Sequence, residues 1–138
     1  MYKKLIFEKK SDHRGDLIPV EFGSGYDSSD IDFDVKRCFF IFPKTRETRG
    51  SHAHRWVEQV LICLDGSMDI CLKNGKGDQY TISLDKPNVG IYIPKLIWNE
   101  LLNFSENCKL LVLASDHYHE REYINNYEEF KRIVAEEN

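Results

Sequence analysis

The chain has 138 residues, enough for one hydrophobic core, whereas two domains of half that length would each be short of apolar surface. Its 19 Lys and Arg stand against 23 Asp and Glu, and the formal net charge of −4 gives no general affinity for nucleic acid or for an anionic membrane surface. Any anionic ligand must therefore be held by local arginines.

The N-terminal MYKKLIFEKK is basic but lacks an apolar run long enough for a signal-peptide core, and nowhere do 18 apolar residues follow one another. A cytoplasmic protein without a membrane segment is expected. Short β-rich runs separated by turn residues then fill the middle of the chain, at 17–22, 37–42, 57–64, 68–72, 80–84, 90–93, 98–104 and 110–114. Such a succession predicts two facing sheets, as a sandwich or a barrel. Residues 23–34 are polar and turn-rich and read as a surface loop, and the stretches at 65–67 and 73–77 read as hairpin turns because Gly and Asn accept positive φ. From Tyr123 the period changes: Ile124, Tyr127, Phe130, Ile133 and Val134 recur at helical spacing, predicting one amphipathic C-terminal helix. With no repeat or linker, residues 1–138 read as a single domain. The cysteines Cys38, Cys63, Cys71 and Cys108 form no C-x-x-C pair and have mostly apolar neighbours, as buried free thiols do in a reducing compartment.

Residues 50–66, GSHAHRWVEQVLICLDG, carry the densest chemistry. His52 and His54 are two apart, so in an extended segment they share a face and sit where an apolar strand begins. His-x-His, four residues, a carboxylate or amide, six residues and Gly is similar to the first motif of the cupin superfamily, here His52, His54, Gln59 and Gly66. The second motif would fall in GIYIPKLIWNELLN, where Asn99 stands in place of the usual histidine. Two imidazoles with the neutral amides of Gln59 and Asn99 are a weak ligand set for Zn, Fe or Mn, so no metal and no cofactor is expected. The histidines are then available for proton transfer near neutral pH.

Taken in order, RGSHAH, EQVLICLDGS, GIYIPKLIWNE and LLVLASDHYHEREYINNYEEF resemble the dTDP-4-keto-6-deoxyglucose 3,4-ketoisomerases, the WxcM-like cupins. The resemblance covers nearly the whole chain. It implies an all-β cupin fold, a double-stranded β-helix or jelly-roll barrel with one C-terminal helix. It also implies a metal-independent homodimer that converts a dTDP-linked 4-keto-6-deoxy sugar to its 3-keto isomer. A PLP aminotransferase would then act downstream to give a 3-amino-3,6-dideoxyhexose for bacterial surface glycans. The family's paired histidines match His52 and His54, and its arginine before the glycine matches Arg49.

The chemistry needs a base for the C3 hydrogen, which the neighbouring carbonyl acidifies, and a second group to move a proton between O3 and O4 of the enediol. The carbon-bound proton is assigned to His52, although the sequence does not rank the pair. Arg14, Arg37 and Arg49 are candidates for the diphosphate because each lies beside a predicted strand end. Gln59 and Asn99 are expected to hydrogen-bond the sugar, with Asn99 helping to set the face on which C4 is protonated. Phe39, Tyr92 and Trp98 could line the pocket or stack on thymine, against the plain alternative of core packing. His117 and His119 lie among charged residues and are expected in solvent. Two rival readings remain open at this stage: a non-catalytic nucleotide-sugar-binding cupin, and a metal-dependent cupin oxygenase or epimerase.

Overall fold

The computed structural model describes residues 1–25 and 29–137. Its strands are β1 (Lys3–Ile6), β2 (Lys10–Asp12), β3 (Gly15–Leu17), β4 (Arg37–Ile41), β5 (Arg49–His54), β6 (Gln59–Asp65), β7 (Met68–Lys73), β8 (Gln79–Leu84), β9 (Val89–Ile93), β10 (Trp98–Leu102) and β11 (Lys109–Ala114). A 3₁₀ turn at Glu120–Glu122 and β12 (Tyr123–Ile124) then lead into helix α1 (Tyr127–Glu136). Two five-stranded sheets result, ordered β1-β9-β6-β11-β4 and β12-β5-β10-β7-β8, with β2 and β3 as a separate hairpin.

The two sheets share one core because each strand turns alternate side chains inward. Leu61, Ile91 and Val112 of the first sheet pack with Ile70, Leu72, Leu84 and Leu101 of the second. Strand β6 is buried from Gln59 to Cys63 because its outer face is covered as well: Val60 and Ile62 meet Phe7, Ile31 and Phe33. The outer face of the second sheet is covered by the helix, with Ala53 and Trp98 packed against Ile124, Phe130 and Val134. Asn126 caps that helix, its side chain accepting the Glu129 N–H.

The expected runs from residue 37 onward appear as β4 and β6 to β11, but the structure departs from expectation elsewhere. Of 17–22 only Leu17 lies in a strand, and Phe22 makes an isolated bridge to Ile31. The neighbouring Ile18 and Val20 cover the first sheet instead of extending it. Nor is 23–34 simply a surface loop, since Ile31 and Phe33 are buried in that cover; residues 26–28 lie outside the described residues. Residues 65–67 do not close a hairpin, because β6 and β7 belong to different sheets and the turn carries the chain across the core. Residues 73–77 do close one, between β7 and β8. The helix starts at Tyr127, because Tyr123 and Ile124 pair with His54 and Ala53 in β5 and that pairing holds them extended. The two sheets remain separate and form no closed barrel among the described residues, where also no helix is long and apolar enough to cross a membrane.

The sheet-to-sheet corner is sterically demanding. Gly66 has φ +74°, and a Cβ there would lie 2.2 Å from Ser105 Oγ and 3.0 Å from the Cys108 backbone. Gly66→Ala is expected to lower stability by more than the roughly 1–2 kcal/mol of left-handed strain alone. It should exceed the cost of Gly77→Ala, whose added Cβ meets nothing within 4 Å. Thermal melts of the two variants make the comparison; equal losses would show that the corner relaxes freely.

Candidate active site

Arg49 and His52 are three residues apart, a spacing that in a regular strand places side chains on opposite faces. In β5 they share a face. Gly50 and Ser51 both adopt positive φ, +78° and +58°, and the register against β10 shifts there, so that Asn99 pairs with His52 and Leu101 with Arg49. This bulge turns Arg49 and His52 to the same inner side, where both line a cavity of about 260 Å³ between the sheets. Glycine is required at the turn, because a Cβ at Gly50 would come within 3.0 Å of the Asn99 side-chain oxygen and 3.2 Å of its carbonyl oxygen.

His52 and His54 keep the common face that their spacing predicts, with rings 5.0 Å apart and nearly perpendicular. Their surroundings differ. His52 stands in the cavity wall, where burial, followed by the neighbouring His54, pushes its pKa down to about 4. His54 lies deeper, 4% exposed, and its Nδ1 donates to Glu122 Oε1 at 2.6 Å. Glu122, at 1% exposure, also accepts the backbone N–H groups of Trp56 at 3.3 Å and Val57 at 3.2 Å on Oε2. Burial pushes this carboxyl up, but its bond to His54, the imidazole charge and the two N–H donors outweigh that and hold it below its ordinary value. Tyr123 closes the group, its ring 5.0 Å from that of His52 and 4.8 Å from that of His54.

The other amides face the same space. Gln59 and Asn99 are buried and line the cavity, and the Asn99 amide donates to the His52 carbonyl at 3.3 Å. Phe39 contributes an apolar wall. Arg37 is in register with Ala114, which in turn opposes Gln59, so all three share the inner face of the first sheet. Its guanidinium lies between the rings of Phe39 at 5.1 Å and Tyr118 at 5.7 Å, and its buried Nε and Nη2 have no hydrogen-bond partner among the described residues.

Three sequence candidates stand apart from the cavity. Tyr92 projects from the opposite face of the first sheet, packs with the Val60 and Ile62 cluster and donates to Glu58. Trp98 faces the helix, edge-on to Tyr127 and tilted against Phe130, with its indole N–H on Glu100. Trp98 is buried and Tyr92 half-buried, and strand parity turns both away from the cavity. Arg14 sits on the exposed β2–β3 hairpin and is paired with Asp12 at 2.6 Å. His117 and His119 are exposed, as expected. The sequence reading missed Glu122 and Tyr123, which sit in the DHYHEREY string directly after that pair. No signal in the string marks them: Glu122 is one of two glutamates in EREYI, and its partner His54 lies 68 residues away.

The family model described as FdtA, WxcM-like, C-terminal, matches residues 2–135. Over 137 residues the chain is 42% identical to a TDP-4-oxo-6-deoxy-α-D-glucose-3,4-oxoisomerase of Aneurinibacillus thermoaerophilus, covering 99% of this chain and 94% of that protein. A 3,4-ketoisomerase from Helicobacter canadensis superposes with a TM-score of 0.89 at 46% identity, covering 97% of each chain. A histidine-to-asparagine variant of the 3,4-ketoisomerase QdtA from Thermoanaerobacterium thermosaccharolyticum, solved with TDP-4-keto-6-deoxyglucose, superposes with a TM-score of 0.90 at 39% identity, covering 98% of this chain and 94% of that one. The facing sheets thus have the cupin fold expected of the sequence, and the chain belongs to the WxcM-like family of TDP-sugar 3,4-ketoisomerases.

Proposed function

We propose that this enzyme converts dTDP-4-keto-6-deoxy-D-glucose to the corresponding 3-keto-6-deoxyhexose in the cavity between the sheets. The observation that carries the reading is the unequal histidine pair, one imidazole kept neutral in the cavity wall and the other tied to a buried carboxylate. Removal of the C3 hydrogen suits His52, since a base must be unprotonated at working pH. O4 takes a proton as the C3 hydrogen leaves, the enediol then gains a proton at C4 and loses one from O3, and His54 beside it relays the oxygen-bound proton from O3 to O4. Gln59 and Asn99 can hydrogen-bond the sugar, the Asn99 amide fixing which face of C4 is protonated. The unpaired donors of Arg37, together with Arg49, suit the diphosphate, for which planar N–H forks are apt. Arg14, held by Asp12 on the hairpin, is not assigned this task.

The chemistry calls for no metal, and the donor set fits one poorly: His54 Nδ1 is committed to Glu122, and the remaining cavity donors include two neutral amides. The 3-keto product suits a PLP aminotransferase acting next, toward 3-amino-3,6-dideoxyhexoses of surface glycans. All four cysteines are free, which fits a reducing, cytoplasmic setting. A homodimer is favoured by strand β4, an edge strand beside which Phe40 and Phe42 are exposed and stacked at 6.4 Å.

Incubating the protein with TDP-4-keto-6-deoxyglucose and following the sugar by NMR tests the activity: the 3-keto isomer should accumulate. His52→Asn and His54→Asn should each fold and lose about 10²–10⁴-fold in turnover, the usual contribution of a general acid or base. Parent rates in both variants would favour a binding role. In the ligand-free protein the His52 ring signals should titrate with a midpoint at about 4, and a midpoint near the ordinary 6.5 would contradict the account of its burial. The sign for stability follows: between those pH values the unfolded chain binds a proton that folded His52 does not, so its contribution is complete above 6.5 and is lost as pH falls toward 4. Light scattering should give about twice the chain mass, reduced by Phe40→Asp; a monomeric wild type would overturn the dimer.

A further inference from the structure

We infer that Glu122 is a positioning residue that fixes the tautomer of His54, so that Nε2 is the one atom of that ring that gains and loses the proton. The inference deepens the ketoisomerase reading and rests on it for its catalytic consequence. A carboxylate can only accept hydrogen bonds. Because Oε1 lies 2.6 Å from His54 Nδ1, the hydrogen on Nδ1 is retained whether the imidazole is neutral or charged. Nε2 is buried and has no protein partner among the described residues, leaving it the open polar position of the pair. His54 shares its strand face with His52, so this open position belongs to the side on which the cavity lies.

The other oxygen makes the arrangement one-way. Oε2 takes the N–H groups of Trp56 and Val57, the residues that follow the histidine box, and the main chain locks the same segment further: the Arg55 N–H donates to the Glu122 carbonyl at 2.9 Å, and Arg55 Nε to the Arg121 carbonyl at 3.2 Å. In Glu122→Gln a side chain of the same shape has only one accepting atom. Its carbonyl must face the two backbone donors, because the reverse orientation would set an NH₂ against them and leave both unsatisfied. The NH₂ then points at His54 Nδ1, which has to present a lone pair. The hydrogen moves to Nε2, and a neutral His54 can no longer accept a proton there.

Nitrogen-15 NMR of the histidine rings tests this without substrate. Wild-type His54 at neutral pH should show a protonated Nδ1, and Glu122→Gln should show the opposite tautomer, with Nε2 protonated. Turnover of TDP-4-keto-6-deoxyglucose by Glu122→Gln should fall about 10²–10⁴-fold in kcat with KM little changed, since the lost proton transfer belongs to the transition state. A wild-type His54 protonated on Nε2 alone overturns the inference, even if the variant fails to fold. So does a folded Glu122→Gln that keeps the wild-type tautomer, or one that inverts it and retains parent kcat. If the tautomer inverts as stated but the wild type does not isomerise the sugar, the positioning stands and the ketoisomerase reading is what fails.

Discussion

The buried contact between Glu122 and His54 is the constraint around which the rest of this end of the molecule is arranged. A carboxylate removed from water must be surrounded by donors, at a cost of several kcal/mol if it is not. Here the imidazole and the N–H groups of Trp56 and Val57 supply them. To bring Glu122 inside, the chain after β11 must return across the end of β5, and it does so as the short strand β12, with Tyr123 opposite His54 and Ile124 opposite Ala53. Ile124 then joins Phe130 and Val134 against the outer face of the second sheet. The contact that orients a histidine thus also docks the C-terminal helix.

A second constraint acts through backbone shape. The two positive φ angles at Gly50 and Ser51 interrupt the parity of β5, and without that interruption Arg49 would face away from His52. The outcome is one imidazole in the cavity wall and a second buried beside it, in different environments though they differ little in sequence context. Dissimilar surroundings for two titratable groups are how one site provides both an acid and a base at a single pH. Burial disfavours the charged form of His52, whereas His54 lies against a buried carboxylate.

Where the sequence was legible, the reason is periodicity with one buried side. The runs that became β4 and β6 to β11 bury at least one face against the shared core, and their apolar content made them visible. The His-x-His spacing was legible for the same reason, because two-residue parity fixes a common face. The illegible parts depended on partners far away in sequence. Ile31 and Phe33 lie in a polar stretch, and only the uncovered face of Val60 and Ile62 explains their burial. Tyr92 and Trp98 are one residue out of phase with the cavity, a parity that short apolar runs do not reveal. Glu122 lies 68 residues from His54, and a single carboxylate in a charged string carries no sign of what it will meet.

The central claim is that carbonyl migration proceeds by proton transfer through an enediol handled by this histidine pair. The most direct test is to run the isomerisation of TDP-4-keto-6-deoxyglucose in D₂O and locate deuterium in the 3-keto product by NMR at low conversion. Proton transfer through exchangeable imidazoles predicts solvent deuterium at C4 of the product. A 3-keto product formed at full rate with C4 entirely protiated by the wild type and by His52→Asn alike, the hydrogen then crossing without that base, would contradict it.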